Sequence, residues 1–242
     1  MTQQKMKVRI WSDIMCPFCY IGKRHYEEAL SSFPYKDFIE TEWQSFQLDP
    51  DIPALSGAST STKEYMITRK GISEEQIDQM LKHVERMGAE AGLDFNLKDS
   101  LIANTFDAHR VIQLAKSKGL GDTMEERLFA AYFTEGKDVS DHEVLKSIGL
   151  EAGLSTEEVL QALTDDQYAY KVNQDKQESQ QLGIKGVPFF VLNNHYGISG
   201  AQPKEAILQT LDKAFGEWRK DHPAFRMEVS QGPSCNPDGS CD

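Results

Sequence analysis

At 242 residues the chain is long enough for one large domain or two small ones, and a fold of that size buries roughly 70–75% of the surface its unfolded form exposes without needing disulfides. Hydrophobic residues make up 39% and charged residues 26%, and the 17 glycines and 9 prolines are too few and too scattered for a linker-rich chain, which excludes disorder throughout. The formal net charge of −12 repels phosphate backbones and so argues against nucleic acid and anionic membranes as partners, although solubility alone accounts for the sign.

No apolar run approaches the ~18 residues that a membrane span requires. The opening MTQQKMKVRI passes straight into a strand-like segment without the apolar stretch of a secretory leader, so a cytoplasmic setting is expected. In a reducing cytosol the 4 cysteines point to catalysis or metal binding before a structural framework.

The first element is a strand over Lys7 to Trp11, in which Val8 and Ile10 alternate with Lys7 and Arg9. After Ser12-Asp13-Ile14-Met15 comes Cys16-Pro17-Phe18-Cys19-Tyr20-Ile21-Gly22, and proline is favourable at a first helical position, so a helix is expected from Pro17 to about Leu30. Ile39 to Phe46 alternates again. Strand, helix and strand in this order form a βαβ unit with parallel strands.

The middle is helical. Ser73 with Gln76, Ser140 with Glu143 and Ser155 with Glu158 read as capping boxes, and Ile77, Met80, Leu81, Val84 and Met87 form a core stripe. Asn104 is placed to cap a helix carrying Phe106, Val111, Ile112 and Ala115, which Gly119 would end. Asp122 to about Thr134 and Asp166 to Leu182 complete about five or six helices with no strand among them. The pairs Glu74-Glu75 and Glu125-Glu126 read as helix-start carboxylates complementing the macrodipole. Strands return at Pro188 to Leu192 and Tyr196 to Ser199 around an Asn193-Asn194-His195 turn, followed by a helix from Pro203 to Phe215 and a loose tail from Lys220. The fold class is therefore α/β with a large helical insertion.

Cys16 and Cys19 sit at the mouth of the helix that follows the first strand. Free N–H groups and the positive dipole end there favour a thiolate, which is the reactive form. Cys16, farther out, is the natural nucleophile, and Cys19, three residues on and on the same face, can resolve a mixed disulfide. The CxxC spacing also occurs in zinc sites, but its place between strand and helix favours redox chemistry.

In these residues the chain resembles the DsbA-type branch of the thioredoxin superfamily and, within it, the FrnE-like proteins. The carrying segments are Ser12-Asp13 through Cys16 to Lys23, Asn104-Thr105-Phe106-Asp107-Ala108-His109-Arg110, Gly186-Val187-Pro188-Phe189-Phe190 and Ile198 to Pro203, in that order. The resemblance implies a thioredoxin-like fold (residues 6–58 and 184–218) interrupted by an all-helical insertion domain (59–183), with a tail (219–242). It implies an exposed attacking Cys16, a buried resolving Cys19, and a cis-proline at Pro188 that faces the pair and leaves the Val187 backbone free for an extended substrate. Asn104 and His109 would line the groove between the domains, and Pro17, Phe18 and Phe189 would give it a flat apolar surface. Strongly oxidising periplasmic members carry histidine where Phe18 stands, so Cys16 is expected to be held as a thiolate less firmly than in those members.

A second pair, Cys235 and Cys241, flanks Pro237-Asp238-Gly239, a turn sequence, and some FrnE-like proteins bear a similar terminal pair. It is read as an auxiliary redox pair that exchanges with Cys16 and Cys19. The resulting expectation is a thiol-disulfide oxidoreductase or disulfide isomerase acting on protein or peptide disulfides or glutathione, with no metal and no organic cofactor. Its rivals are a four-cysteine zinc site, disfavoured because most of the chain separates Cys19 from Cys235; a glutathione-dependent isomerase of the hydroxychromene carboxylate type, which lacks the second thiol; and a redox-independent holdase. Of the 6 histidines only His109 belongs to a motif.

Overall fold

The structure is a computed structural model that describes residues 4–53, 60–97 and 100–222. Cys235 and Cys241 lie outside the described residues.

Four strands form one sheet in the order β2-β1-β3-β4: β1 (Met6–Ser12), β2 (Ile39–Ser45), β3 (Phe189–Leu192) and β4 (Tyr196–Ser199). β1 pairs in parallel with β2, joined by the crossover helix α1 (Pro17–Ser32), and antiparallel with β3. The alternation along β1 sorts its side chains as expected. Met6, Val8 and Ile10 enter a core with Tyr26 and Ala29 of α1 and with Ile207 and Leu211 of α9 (Lys204–Asp221). On the opposite face Trp11 joins Ile184 and Val191. The β3–β4 hairpin turns through Asn193 (φ 51) and Asn194 (φ 53), residues that tolerate the left-handed region.

Between β2 and β3 the described residues hold α2 (Thr62–Lys70), α3 (Glu74–Glu90), α4 (Phe106–Ser117), α5 (Gly121–Phe133), α6 (His142–Glu151), α7 (Thr156–Thr164) and α8 (Asp166–Gln181). Seven helices replace the expected five or six. The addition is α2, whose Ser61 cap and left-handed Gly71 stop are regular but which buries no side chain, so no apolar stripe betrays it. The capping boxes at Ser73 and Ser155 are both present. The one expected at Ser140 is not: Asp141 caps α6 by accepting from Glu143 N, while Ser140 Oγ donates to Asp138 Oδ1 at 2.6 Å. Met80 is 36% exposed rather than part of the core stripe, since α3 packs along Ile77, Val84 and Gly88. α9 runs past Phe215 because its buried stripe continues to Trp218, so Lys220 is helical and not tail.

The helical insertion is not a separate lobe resting on the sheet. Its main core takes in Ile14 and Cys16 from the loop before α1 and Cys19, Tyr20 and Ile21 from the start of α1. Tyr20 stacks on Phe129 of α5 at 4.9 Å, and Phe129 is wholly buried. Burying such a ring contributes about 1.5–3 kcal/mol, so this contact fixes α5 firmly against the first turn of α1. One turn on, Lys23 is buried among Glu27, Asp122 (3.4 Å) and Glu126 (3.1 Å). Burial alone would lower the pKa of Lys23, but the three carboxylates outweigh it and hold the ammonium above its ordinary value.

Candidate functional site

Register brings the two halves of the site together. β3 runs antiparallel to β1, and its first residue, Phe189, pairs with Trp11 near the end of β1. The Val187–Pro188 stretch entering β3 therefore lies beside the loop leaving β1, which carries Cys16. The Val187–Pro188 peptide bond is cis. The Cys16 thiol donates to the Val187 carbonyl at 3.4 Å.

Cys16 is the N-cap of α1, in extended conformation (φ −92, ψ 108), and Pro17 opens the helix. The loop is closed by Cys16 N donating to Asp13 O and Cys19 N donating to Cys16 O, both at 2.9 Å. Both cysteines are free thiols. Cys16 is 4% exposed and Cys19 1%. The order agrees with an outer and an inner thiol, but the expected exposure of Cys16 is corrected, because the thiol is folded onto the Val187 carbonyl and joins the core of the insertion. Burial, and then the hydrogen bond and charge of the facing Cys16 sulfur, push the Cys19 thiol well above its ordinary pKa. Cys19 thus keeps its proton until something takes it.

The surface around the pair is apolar. Phe18 is 36% exposed and Pro17, Val187 and Phe189 are half-buried, whereas Pro188 is buried. Gly22, on the next turn of α1, backs directly onto the Pro188 ring.

Asn104 and His109, expected along one groove, are separated by depth. Asn104 lines a cavity of about 240 Å³ with Gln47, Pro50, Phe106 and Lys176. Its amide donates to Ile52 O at 2.5 Å, and its Oδ1 accepts from Phe106 N (2.9 Å) and Gln47 Nε2 (3.3 Å), so it caps α4 from one residue upstream of the Thr105 N-cap. His109 lines no groove. One turn into α4, it is 1% exposed and points under the end of β1, where its Nε2 lies 3.5 Å from Asp13 Oδ1.

Beneath Cys19 lies a polar group that sequence reasoning missed. Ser12, Asp13, His109 and Glu125 are each no more than 1% exposed, and Ser12 Oγ, Asp13 Oδ1, His109 Nε2 and Glu125 Oε1 have no hydrogen-bond partner of good geometry. Asp13 uses its other oxygen to accept from Leu48 N at 2.7 Å. The reading of Glu125-Glu126 as helix-start carboxylates is corrected: both lie in the second turn of α5, Glu125 faces inward, and Glu126 pairs with Arg24 and Lys23. The signal was available, since Glu125 falls in the same helical stripe as Met124, Leu128 and Tyr132. Burial pushes the Glu125 carboxyl up to about 7, against the favourable field of His109, the Ser12 hydroxyl and Lys23.

The sequence profile of the DSBA-like thioredoxin domain matches residues 7–212. Among solved structures, the probable DsbA oxidoreductase of Streptomyces coelicolor superposes with a TM-score of 0.82 at 36% identity, covering 98% of each chain. The cytosolic disulfide reductase DsbM of Pseudomonas aeruginosa, solved with GSH, gives a TM-score of 0.59 at 17% identity over 89% of this chain and 98% of that one, which is a likeness of fold. The uncharacterized Bacillus subtilis protein YwbO is 27% identical over 207 residues, 84% of this chain and 94% of its own. Among the described residues, no helix is long and apolar enough to cross a membrane.

Proposed function

Because the chain belongs to the DSBA-like thioredoxin domain family, we propose that it is a thiol-disulfide oxidoreductase in which Cys16 attacks and Cys19 resolves. Membership supports thiol-disulfide oxidoreductase or isomerase chemistry in general. The observation that carries the assignment to this pair is the Cys16 thiol at the N-cap of α1, beside the Val187 carbonyl and the cis Pro188, with Cys19 on the next turn behind it.

In this reading the Cys16 thiolate attacks a substrate disulfide, one S–S bond forms to Cys16, and the first substrate sulfur leaves with the electron pair. Cys19 then attacks the Cys16 sulfur, closing the protein disulfide and releasing the second substrate thiolate. The substrate disulfide gains two electrons and the cysteine pair loses two. Run backwards, the same steps oxidise a dithiol. The exposed Phe18 ring with Pro17 and Val187 would take a peptide with little sequence preference, and the cavity lined by Asn104, Lys176 and Asp107 would take the polar end of a small thiol such as glutathione. The setting proposed is cytoplasmic, which cell fractionation tests.

Insulin reduction with dithiothreitol or glutathione tests the assignment. Wild type should accelerate precipitation, Cys16→Ser should abolish it, and Cys19→Ser should accumulate a mixed disulfide with substrate. Activity retained in Cys16→Ser would overturn it.

A further inference from the structure

The stretch that carries the cis Pro188 is held from behind by one face of α1. Gly22, His25 and Glu28 follow one another at three-residue steps, which makes them neighbours along a single slanting row of the helix. Each meets a later point of the 188–204 stretch: Gly22 backs onto Pro188, the His25 ring reaches Gln202, and Glu28 pairs with Lys204. The middle contact has a definite sense. A backbone carbonyl can only accept, so His25 Nδ1 carries the proton and donates to Gln202 O at 2.9 Å. Gln202 in turn braces the cis-proline. Its N–H donates to Gly200 O at 2.9 Å, its side-chain amide donates to Ser199 O at 3.0 Å, and Gly200, in the left-handed region (φ 78), donates its N–H to Pro188 O at 2.8 Å. The carbonyl one residue before Pro188, that of Val187, is the one that accepts from the Cys16 thiol at 3.4 Å. A row of hydrogen bonds thus runs from the middle of α1, through the turn after β4, to the loop that faces the outer thiol.

We infer that His25 is a positioning residue: by holding the Gly200–Gln202 turn on α1 it keeps the Val187–Pro188 loop closed on Cys16. The inference rests on the dithiol exchange proposed above and adds what sets the resting state of its attacking thiol. A carbonyl at hydrogen-bond distance stabilises the protonated sulfur and disfavours the thiolate, and the closed loop leaves Cys16 only 4% exposed. The same loop shapes the substrate site. Loosening it therefore has two opposite consequences: Cys16 reacts faster with a small reagent that needs no docking, and slower with a peptide disulfide that does. Of the other two contacts in the row, Glu28–Lys204 joins two largely exposed side chains and contributes little, and Gly22 only makes room. His25, half-buried on the helix surface, is the one that fixes the turn in place.

The test compares two reactions of the reduced full chain carrying Cys235→Ser and Cys241→Ser: alkylation by iodoacetamide as a function of pH, with fragment-ion mapping to tell Cys16 from Cys19, and insulin reduction. His25→Ala keeps the helix, since alanine is its best former. On the rising limb of the pH curve Cys16 should be alkylated about threefold faster than in the parent, the scale of one weak hydrogen bond lost, which moves the curve toward acid by about half a unit. Insulin reduction should fall by about the same factor. His25→Asn, whose amide nitrogen stands where Nδ1 does, should restore both. Gly22→Ala displaces the same loop, so adding His25→Ala to it should change alkylation by less than about 1.5-fold, because the two substitutions act through one movement. An unshifted alkylation curve in His25→Ala overturns the inference, as do an asparagine variant that behaves like the alanine one and a full additional effect in the double variant. Alkylation of Cys19 along with Cys16 in His25→Ala also overturns it, since that reports a general opening and not a moved loop. A parent that reduces no insulin would instead sink the dithiol exchange, and the alkylation comparison, which needs no substrate disulfide, would still decide the role of His25.

Discussion

Gly22 and Pro188 are in contact across the site: a β-carbon on Gly22 would come within 2.9 Å of Pro188 Cγ, with Phe190 Cζ behind it at 3.5 Å. The glycine sits on the face of α1 one turn beyond Cys19 and lets the loop carrying Val187 close onto Cys16. Gly22→Ala should therefore push the loop outward and lengthen the Cys16–Val187 contact. Overpacking of this kind costs roughly 1–3 kcal/mol, somewhat offset by the better helix propensity of alanine. Insulin-reduction rate and thermal midpoint should fall together, with the rate falling further because the displaced loop shapes the substrate site. An unchanged rate would show that the loop position does not matter to turnover.

Much of this arrangement is legible in the residues themselves. The Val8/Ile10 alternation, Pro17 at the helix start and the Asn193-Asn194 turn each follow from local chemistry, and with the two ends of the sheet so far apart the helical insertion follows by subtraction. The depth of side chains is not legible in this way. His109 and Asn104 belong to one motif, yet His109 on the first turn of α4 points under β1 while Asn104, just before the helix, lines a cavity wall. Glu125 reads as a helix-start acid because the strand end packed near it, Ser12-Asp13, lies more than a hundred residues earlier. α2 was missed for the opposite reason, having caps but nothing to bury.

The Glu125 carboxyl imposes a signature on stability. Its pKa in the fold, about 7, is above that of an ordinary glutamate, because burial disfavours its charge. The native state therefore binds the extra proton between about pH 4.5 and 7, and stability falls as pH rises through that window, then levels. The loss should approach about 3 kcal/mol. Glu125→Gln should erase this slope and be more stable than wild type at pH 8. Urea unfolding at pH 5 and pH 8 measures it, and parallel pH profiles for the two proteins would show that Glu125 is not protonated in the fold.

Phe18 occupies the second helical position of α1 with its ring 36% exposed, so a substitution there alters the neighbourhood of Cys16 without disturbing the core. Phe18→His places a donor, and below neutral pH a cation, beside the outer thiol. Charge-assisted hydrogen bonding should favour the reduced state and make the disulfide a stronger oxidant. A tenfold shift of the exchange equilibrium with glutathione toward the dithiol, about 30 mV, is the expected scale. Equilibrium titration in glutathione buffers reads this directly, and no shift would mean that the residue at this position does not govern the couple.

The second cysteine pair can be tested through geometry alone. His222, where the described residues end, lies beside Lys7 and Glu40 at the start of β1 and β2, whereas Cys16 follows the far end of β1. The seven residues of β1 span about 23 Å. From His222 to Cys235 the chain can reach about 45 Å when fully extended, enough to bring Cys235 to Cys16 within one molecule. Tethering of this kind gives effective concentrations in the millimolar range, far above those of the protein in an assay. In a Cys19→Ser, Cys241→Ser variant, mild oxidation should therefore yield a Cys16–Cys235 disulfide at a rate independent of protein concentration. Peptide mapping under non-reducing conditions identifies it. A rate proportional to concentration, or no such bond, would remove the tail from the catalytic cycle and leave Cys16 and Cys19 to exchange with external thiols alone.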